Sequence, residues 1–302
     1  MGRKLLALVA SAATLCVQPA SAQVEIPADA VRLSPSMPWN VDFAEQSCAA
    51  RRIFGDGTHE AFLELRQFSP GNSYQMLVSS GDVPRRSDPR FAWLPDTSIG
   101  DPPGTIMGST SEGFGEGYVV TTGLLTFDQQ AAVTAAAEAE APYPIAEEVV
   151  DNRHAEIQGL LVERGFRNPM YLETGSLGRV MQAMETCMNS LLESWGIDPA
   201  VNRTITVPVK PLDMARLARE VAQVYPQRQL QRGAQGLVNI RMLVDAQGQA
   251  SNCVAQAQMN DPVFNRLACE RVLRFARFEP ALDAAGQPVD SFWTTAVVYM
   301  MN

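Results

Sequence analysis

The sequence predicts an α+β protein in two parts: a β-rich N-terminal domain closed by a long helix, then a small domain in the order strand, strand, helix, strand. Three observations carry this. Leu177, Val180, Met181, Met184, Met188, Leu191, Leu192 and Trp195 form one apolar stripe at helical spacing. Val238, Ile240, Met242 and Val244 alternate at period two ahead of a turn, and a helix pattern and a last apolar strand follow. From Trp39 to Leu172, short apolar runs are separated by Gly and Pro turn signals. A chain of 302 residues has room for two domains, expected at 36–197 and 216–302 with a linker over 198–215.

The chain opens with Arg3 and Lys4, the apolar run Leu5 to Val17, and Pro19-Ala20-Ser21-Ala22. This reads as a signal peptide over 1–22, cut after Ala22. About thirteen apolar residues fall short of the roughly twenty that span a bilayer, although an uncleaved leader would be an inner-membrane anchor. Cys16 follows Leu15, where lipidation wants a small residue. Loss of Arg3 and Lys4 takes the formal charge from −9 to −11, which argues against nucleic acid and anionic membranes as partners. From Arg216 onward there are nine Arg against seven acidic residues, so the acidity sits in the N-terminal part. That is a solvated acidic face or, on a sharper reading, a docking surface for the basic tail.

Four cysteines remain after cleavage, and an even number in an exported chain reads as disulfides with three possible pairings. Cys253 falls on the second strand of the C-terminal part and Cys269 on its helix, which must pack on that sheet. Their bond closes a loop of about fifteen residues, a stabilisation of about 3 kcal/mol. Cys48 and Cys187 are left to join the start of the N-terminal domain to its last helix. No Cys or His spacing suggests a metal, and no cofactor is expected.

In order, Gln23 to about Pro38 is a loose lead-in. Strands are expected over 61–68 and, after Pro70-Gly71-Asn72, over 74–79. Residues 84–103 read as loop and 118–127 as the longest strand. An Ala-rich helix over 131–141 is ended by Pro142, with short strands at 156–162 and 170–172. The helix over 177–195 takes Ser176 as N-cap and Gly196 as C′ residue. A short helix over 213–224 leads into the tail. There, Asp245-Ala246-Gln247-Gly248 turns a hairpin onto a strand over 250–257, and Asp261-Pro262 caps a helix with Phe264, Leu267, Ala268, Val272 and Phe275 on one face.

Candidate chemistry is thin. Asp96-Thr97-Ser98 matches the aspartic-protease tripeptide, but that chemistry needs two carboxylates sharing one proton, and no second copy exists. A turn-capping Asp is the better reading. Gly113-x-Gly115-x-Gly117 precedes a strand, unlike a phosphate loop, and reads as a turn. Gly175-Ser176-Leu177-Gly178 lacks the spacing of a nucleophile elbow. His59 and His154 are ordinary surface or half-buried imidazoles on this reading. No enzyme activity is expected.

Tyr225-Pro226, Gly236-x-Val238, Val244-Asp245-x-x-Gly248, Arg277-Phe278-Glu279-Pro280-Ala281 and Gly286-x-Pro288-Val289 fall in order over the last quarter of the chain. This set resembles the C-terminal domain of TonB, the energy transducer of the Gram-negative envelope. The resemblance implies a periplasmic domain in transmembrane transport whose partner is an outer-membrane transporter or another envelope protein. It also implies capture of an extended peptide, the TonB box, as a strand beside the last strand of the domain. Carried over, the pairing edge is Ser291 to Met301. The contact strand is Phe292, Trp293, Thr294, Thr295, Ala296, Val297, Val298 and Tyr299, with Tyr225 and Pro226 nearby. A full transducer also has an uncleaved anchor and a long Pro-rich spacer. A cleaved leader and a folded, disulfide-linked domain stand in their place here. The expectation is therefore an exported binding or adaptor module, with an anchored transducer or a structural protein that forms homodimers through this domain as alternatives. Finally, Phe292, Ala296, Val298 and Met300 lie on one face of the last strand, and Trp293, Val297, Tyr299 and Met301 on the other. The second apolar face needs cover from the N-terminal domain, a second copy or a partner.

Overall fold

The computed structural model describes residues 25–81, 83–84, 88–100, 103–139, 147–222, 224–256 and 261–300. The expected leader, Pro142, Ala257 and Met301 lie outside the described residues. The first part runs β1 (Val31–Leu33), β2 (Asn40–Ala44), β3 (Ser47–Gly55), β4 (Glu60–Gln67), β5 (Ser73–Ser79), β6 (Arg90–Leu94), β7 (Ile106–Ser111) and β8 (Gly115–Gly123). It continues with α1 (Phe127–Glu138), α2 (Glu147–Glu156), β9 (Gly159–Arg164), β10 (Met170–Leu172) and α3 (Gly178–Ser194). Then come α4 (Pro199–Arg203), β11 (Ile205–Val207), β12 (Lys210–Pro211), α5 (Met214–Ala222) and α6 (Gln227–Gln231). The chain closes with β13 (Gly236–Val244), β14 (Ala250–Ala255), α7 (Pro262–Phe275), β15 (Phe278–Glu279), β16 (Ala281–Asp283), β17 (Pro288–Val289) and β18 (Ser291–Tyr299). The fold class is α+β.

The first part is two sheets around one core. Strands β2-β3-β4-β5-β8-β7 form an antiparallel six-stranded sheet, and β1-β10-β9-β6 a second sheet in which only β1 and β10 are parallel. Leu63, Leu65, Met76 and Val120 from the first sheet meet Trp93, Leu160 and Leu172 from the second, and the apolar stripe of α3 fills the remaining side. Cys48 on β3 is bonded to Cys187 on α3, with both residues buried. Gly196 ends α3 at φ +81°, a conformation that suits a residue without Cβ. The expected N-cap, Ser176, lies one residue too early: Leu177 is the N-cap and makes no side-chain cap bond, while the Ser176 hydroxyl accepts the Gly178 N–H at 3.3 Å.

The second core lies between the sheet β14-β13-β18 and helices α5 and α7. Val238, Ile240, Met242 and Val244 are almost wholly buried, as their alternation requires. The hairpin turns on Asp245, whose Oδ1 accepts the N–H groups of Gln247 and Gln249 at 3.0 and 2.8 Å, with Gly248 at φ +76°. Asp261 caps α7 by accepting the Val263 N–H at 3.0 Å, with Pro262 at the first helical position. Phe264, Ala268 and Val272 are buried against the sheet, while Leu267 and Phe275 are half-buried at its margin. Cys253 and Cys269 are bonded across this packing, as the sequence led us to expect.

Several expectations need correction, most of them because of a long-range pairing. The lead-in contains β1, held by β10. The loop over 84–103 contains β6, held by β9. The strand from 118 begins at Gly115 and stops at Gly123, because Thr126 and Gln129 cap a helix that starts at Phe127. The strand expected at 156–162 is β9, and the residues before it are α2. The segment 198–215 is not a free linker. Its β11 pairs with β16 and its β12 with β15, and Val209 is buried in the second core.

Replacing Cys48 and Cys187 by Ser is expected to cost about 5 kcal/mol, and replacing Cys253 and Cys269 about 3 kcal/mol, because the closed loops differ in length (separations of 139 and 16 residues). Urea unfolding of the two double variants measures this; equal losses would refute a loop-entropy origin.

Candidate functional site

Strand β18 pairs with β13 over nine consecutive residues without a register break, from Ser291 opposite Val244 to Tyr299 opposite Gly236. It is the last strand of its sheet, and no strand pairs with its outer side among the described residues. The opposite edge, β14, is irregular. Its register with β13 shifts between Arg241 and Leu243, and Asn252 sits at φ 52°. A guest strand needs a regular row of free N–H and C=O groups. β18 presents such a row, whereas the kink in β14 interrupts it.

The side chains of β18 divide by face. Trp293, Val297 and Tyr299 are buried in the second core. Trp293 lies 5.2 Å from Phe278, and Phe264 stacks on Tyr299 at 4.4 Å. Tyr225 meets both Phe264 and Tyr299 edge-on, and its hydroxyl donates to the Ala234 carbonyl. The structure thus brings Tyr225 to the far end of β18, where its ring anchors the strand, while Pro226 starts α6. The buried Tyr299 hydroxyl has no hydrogen-bond partner, and burial pushes its pKa up to about 12. Thr295 is half-buried on this same face. On the other face, Phe292 lies 5.5 Å edge-on to Trp195, and the Thr294 and Ser69 hydroxyls are 3.4 Å apart. Ala296, Val298 and Met300 are exposed. A guest at this edge would therefore meet backbone first and, toward the end of the strand, an apolar strip.

Over β13 and the start of β18, the second apolar face of the sheet is covered by the same chain. On β13, Leu237 packs on Leu77 and Val119 of the six-stranded sheet, and Leu243 joins Phe292 against the first core. Between them the Arg241 guanidinium lies 3.9 Å over the Trp195 ring and is only 3% exposed. Its Nε and Nη1 have no hydrogen-bond partner, and burial lowers its pKa to about 10. The ring face is the favourable partner a buried cation needs in the absence of a carboxylate. Gln256 Nε2 donates across the junction to the carbonyls of Gln46 and Phe68 at 3.2 and 2.5 Å. The ion pairs Arg51–Asp42, Arg51–Glu64, Arg66–Glu64, Arg153–Asp96, Lys210–Glu279 and Arg271–Glu220 each stay on one side of this junction, and the contacts described across it are apolar or hydrogen-bonded.

Beside the start of β18 lies a cavity of 740 Å³. Ser291 to Thr294 form one wall, Met181, Met188 and Leu192 of α3 another, and α1, α2, the 67–74 loop and the 199–209 segment complete it. His154 of α2 lines it at 5% exposure, with neither ring nitrogen hydrogen-bonded. Burial lowers its pKa, against a smaller opposite effect of Asp151. The expectation of ordinary histidines thus holds for exposed His59 and not for His154. No motif could have flagged the cavity, since its walls come from segments far apart in sequence. Asp96 behaves as a capping residue: Oδ1 accepts the Ser98 N–H and hydroxyl at 3.0 and 2.6 Å, and Oδ2 pairs with Arg153 at 2.8 Å. Among the described residues no cluster of three or more His, Cys, Asp or Glu could hold a metal, and no helix is long and apolar enough to cross a membrane.

Two outcomes follow from the buried groups. An imidazole whose folded pKa is lowered lets the unfolded chain bind the proton first, so stability is expected to fall as pH drops below 6.5. His154→Leu should flatten that slope and raise stability at pH 7 by about 1–3 kcal/mol, because an unpaired buried group is removed; thermal melts between pH 7.5 and 5 test both. At the junction, Trp195→Ala is expected to cost about 3–5 kcal/mol, whereas Arg241→Met, which exchanges a desolvated cation for an apolar chain, is expected to be close to neutral in the same melts.

No curated protein and no solved structure matches the chain. Residues 221–300 match the family model described as the Gram-negative bacterial TonB protein C-terminal, a span that holds β13, β14, α7, β18 and Tyr225, so this part of the chain is a TonB C-terminal domain.

Proposed function

We propose that the protein is an exported, TonB-like binding module of the Gram-negative envelope that takes an extended peptide onto the outer edge of β18. The TonB C-terminal domain ties the chain to envelope transport. The observation that supports strand addition is the unbroken nine-residue register of β18 on β13 with its outer side unpaired among the described residues. Main-chain hydrogen bonds along that row would supply affinity, and the exposed Ala296, Val298 and Met300 would supply selectivity for apolar side chains. The partner on this reading is the periplasmic segment of an outer-membrane transporter or of another envelope protein. The N-terminal part holds the sheet in place: with α7 on one face and Trp195, Leu77 and Val119 on the other, β18 is preorganised and loses little freedom on binding. The pattern of the leader supports export after cleavage at Ala22, and a protein cut there acts as an adaptor and passes on no mechanical force.

The test is amide exchange on the protein starting at Gln23, with and without a synthetic TonB-box peptide. Protection is expected across 291–299 and not across 250–255, and methylating alternate backbone nitrogens of the peptide should weaken binding at least tenfold. Protection confined to β14, or none, refutes strand addition at β18. The mass of the protein isolated from its own cells checks the leader: a start at Gln23 is expected, and an intact Met1 would make it an anchored transducer.

A further inference from the structure

We propose that the cavity beside the start of β18 is a binding site for an uncharged, largely apolar small molecule carrying one hydrogen-bonding group, which pairs with His154. This inference does not rest on peptide capture. Protein interiors are close-packed, and about 740 Å³ is a ligand-sized opening. Its deep wall is apolar and adaptable: Met181, Met188 and Leu192 are each at most 6% exposed yet line it.

His154 decides the chemistry. A buried imidazole with neither nitrogen paired is a costly arrangement that packing alone does not explain, and an apolar side chain of similar size would serve the core better. Neutral imidazole presents one N–H donor and one acceptor nitrogen, so a ligand N–H pairs with the acceptor nitrogen, and a ligand hydroxyl with either one of the two. The charged side chains around the cavity, Asp151, Glu185 and Arg203, are of both signs and exposed, so nothing there selects a charged ligand. The site is assembled from both parts of the chain, with Phe292 and Thr294 on one side and α2 and α3 on the other, which explains why this TonB-type domain carries a folded N-terminal part against it.

The probe is N-phenyl-1-naphthylamine, an uncharged apolar fluorophore with one N–H, titrated into the protein starting at Gln23. One saturable site per chain is expected. Met188→Trp fills the cavity from its floor and Val133→Trp from the half-buried rim on α1, and each should weaken binding at least tenfold. Val133→Trp lies at a tolerant position and keeps the test open if Met188→Trp fails to fold. His154→Leu should weaken the amine three- to tenfold while leaving displacement by 1-benzylnaphthalene, which matches its shape without the N–H, unchanged. Absence of saturable binding, binding untouched by both filling variants, or equal loss of both probes in His154→Leu would each overturn the proposal.

Discussion

A three-stranded sheet with two apolar faces cannot stand in water on one helix. That constraint organises this protein. Helix α7 covers the face formed by Val238, Ile240, Met242 and Val244, and the first part of the chain must cover the face formed by Leu237, Arg241 and Leu243. With one face covered and the other covered except at Ala296, Val298 and Met300, the sheet is left with its backbone edges. Of these, β18 is straight and in register, while β14 is bent by Asn252 and tied to α7 through Cys253. The packing that stabilises the sheet thus leaves the outer side of β18 without a paired strand among the described residues.

The junction is built from a few strong features. Arg241 gives up water for the face of Trp195, and Phe292 meets the same indole edge-on. Burying a cation without a carboxylate is expensive, so this contact is better understood as fixing orientation than as adding stability. Gln256 does similar work at the other side, spanning to two carbonyls that the N-terminal part leaves available. Such directional contacts define one seating of the sheet, where apolar contacts alone would allow sliding.

The cavity lies where that seating is incomplete. Between α3 and Ser291 to Thr294 the two parts do not close, and His154 is left buried and unpaired beside the gap. Buried polar groups without a partner also occur at the junction, at Arg241, and in the second core, at Tyr299; His154 differs in lining an open space, where a ligand would resolve the mismatch.

The sequence alone determined the C-terminal elements, because a period-two run, a Gly turn and an Asp-Pro cap each act over a few residues and leave local signals. It also determined both disulfide pairs, since one pairing joins a strand to the helix that must lie on it, and the apolar face of α3 with Cys187 turned inward. It resolved the apolar character of both faces of β18 without resolving what covers them. Strands β1 and β6 and the pairing of 205–211 with β15 and β16 were not legible, because their hydrogen-bond partners lie tens of residues away. The burial of His154, the stacking of Arg241 on Trp195 and the cavity itself were decided only by tertiary structure. Each depends on the seating of one part of the chain on the other, and that is set by the sum of many contacts distant in sequence.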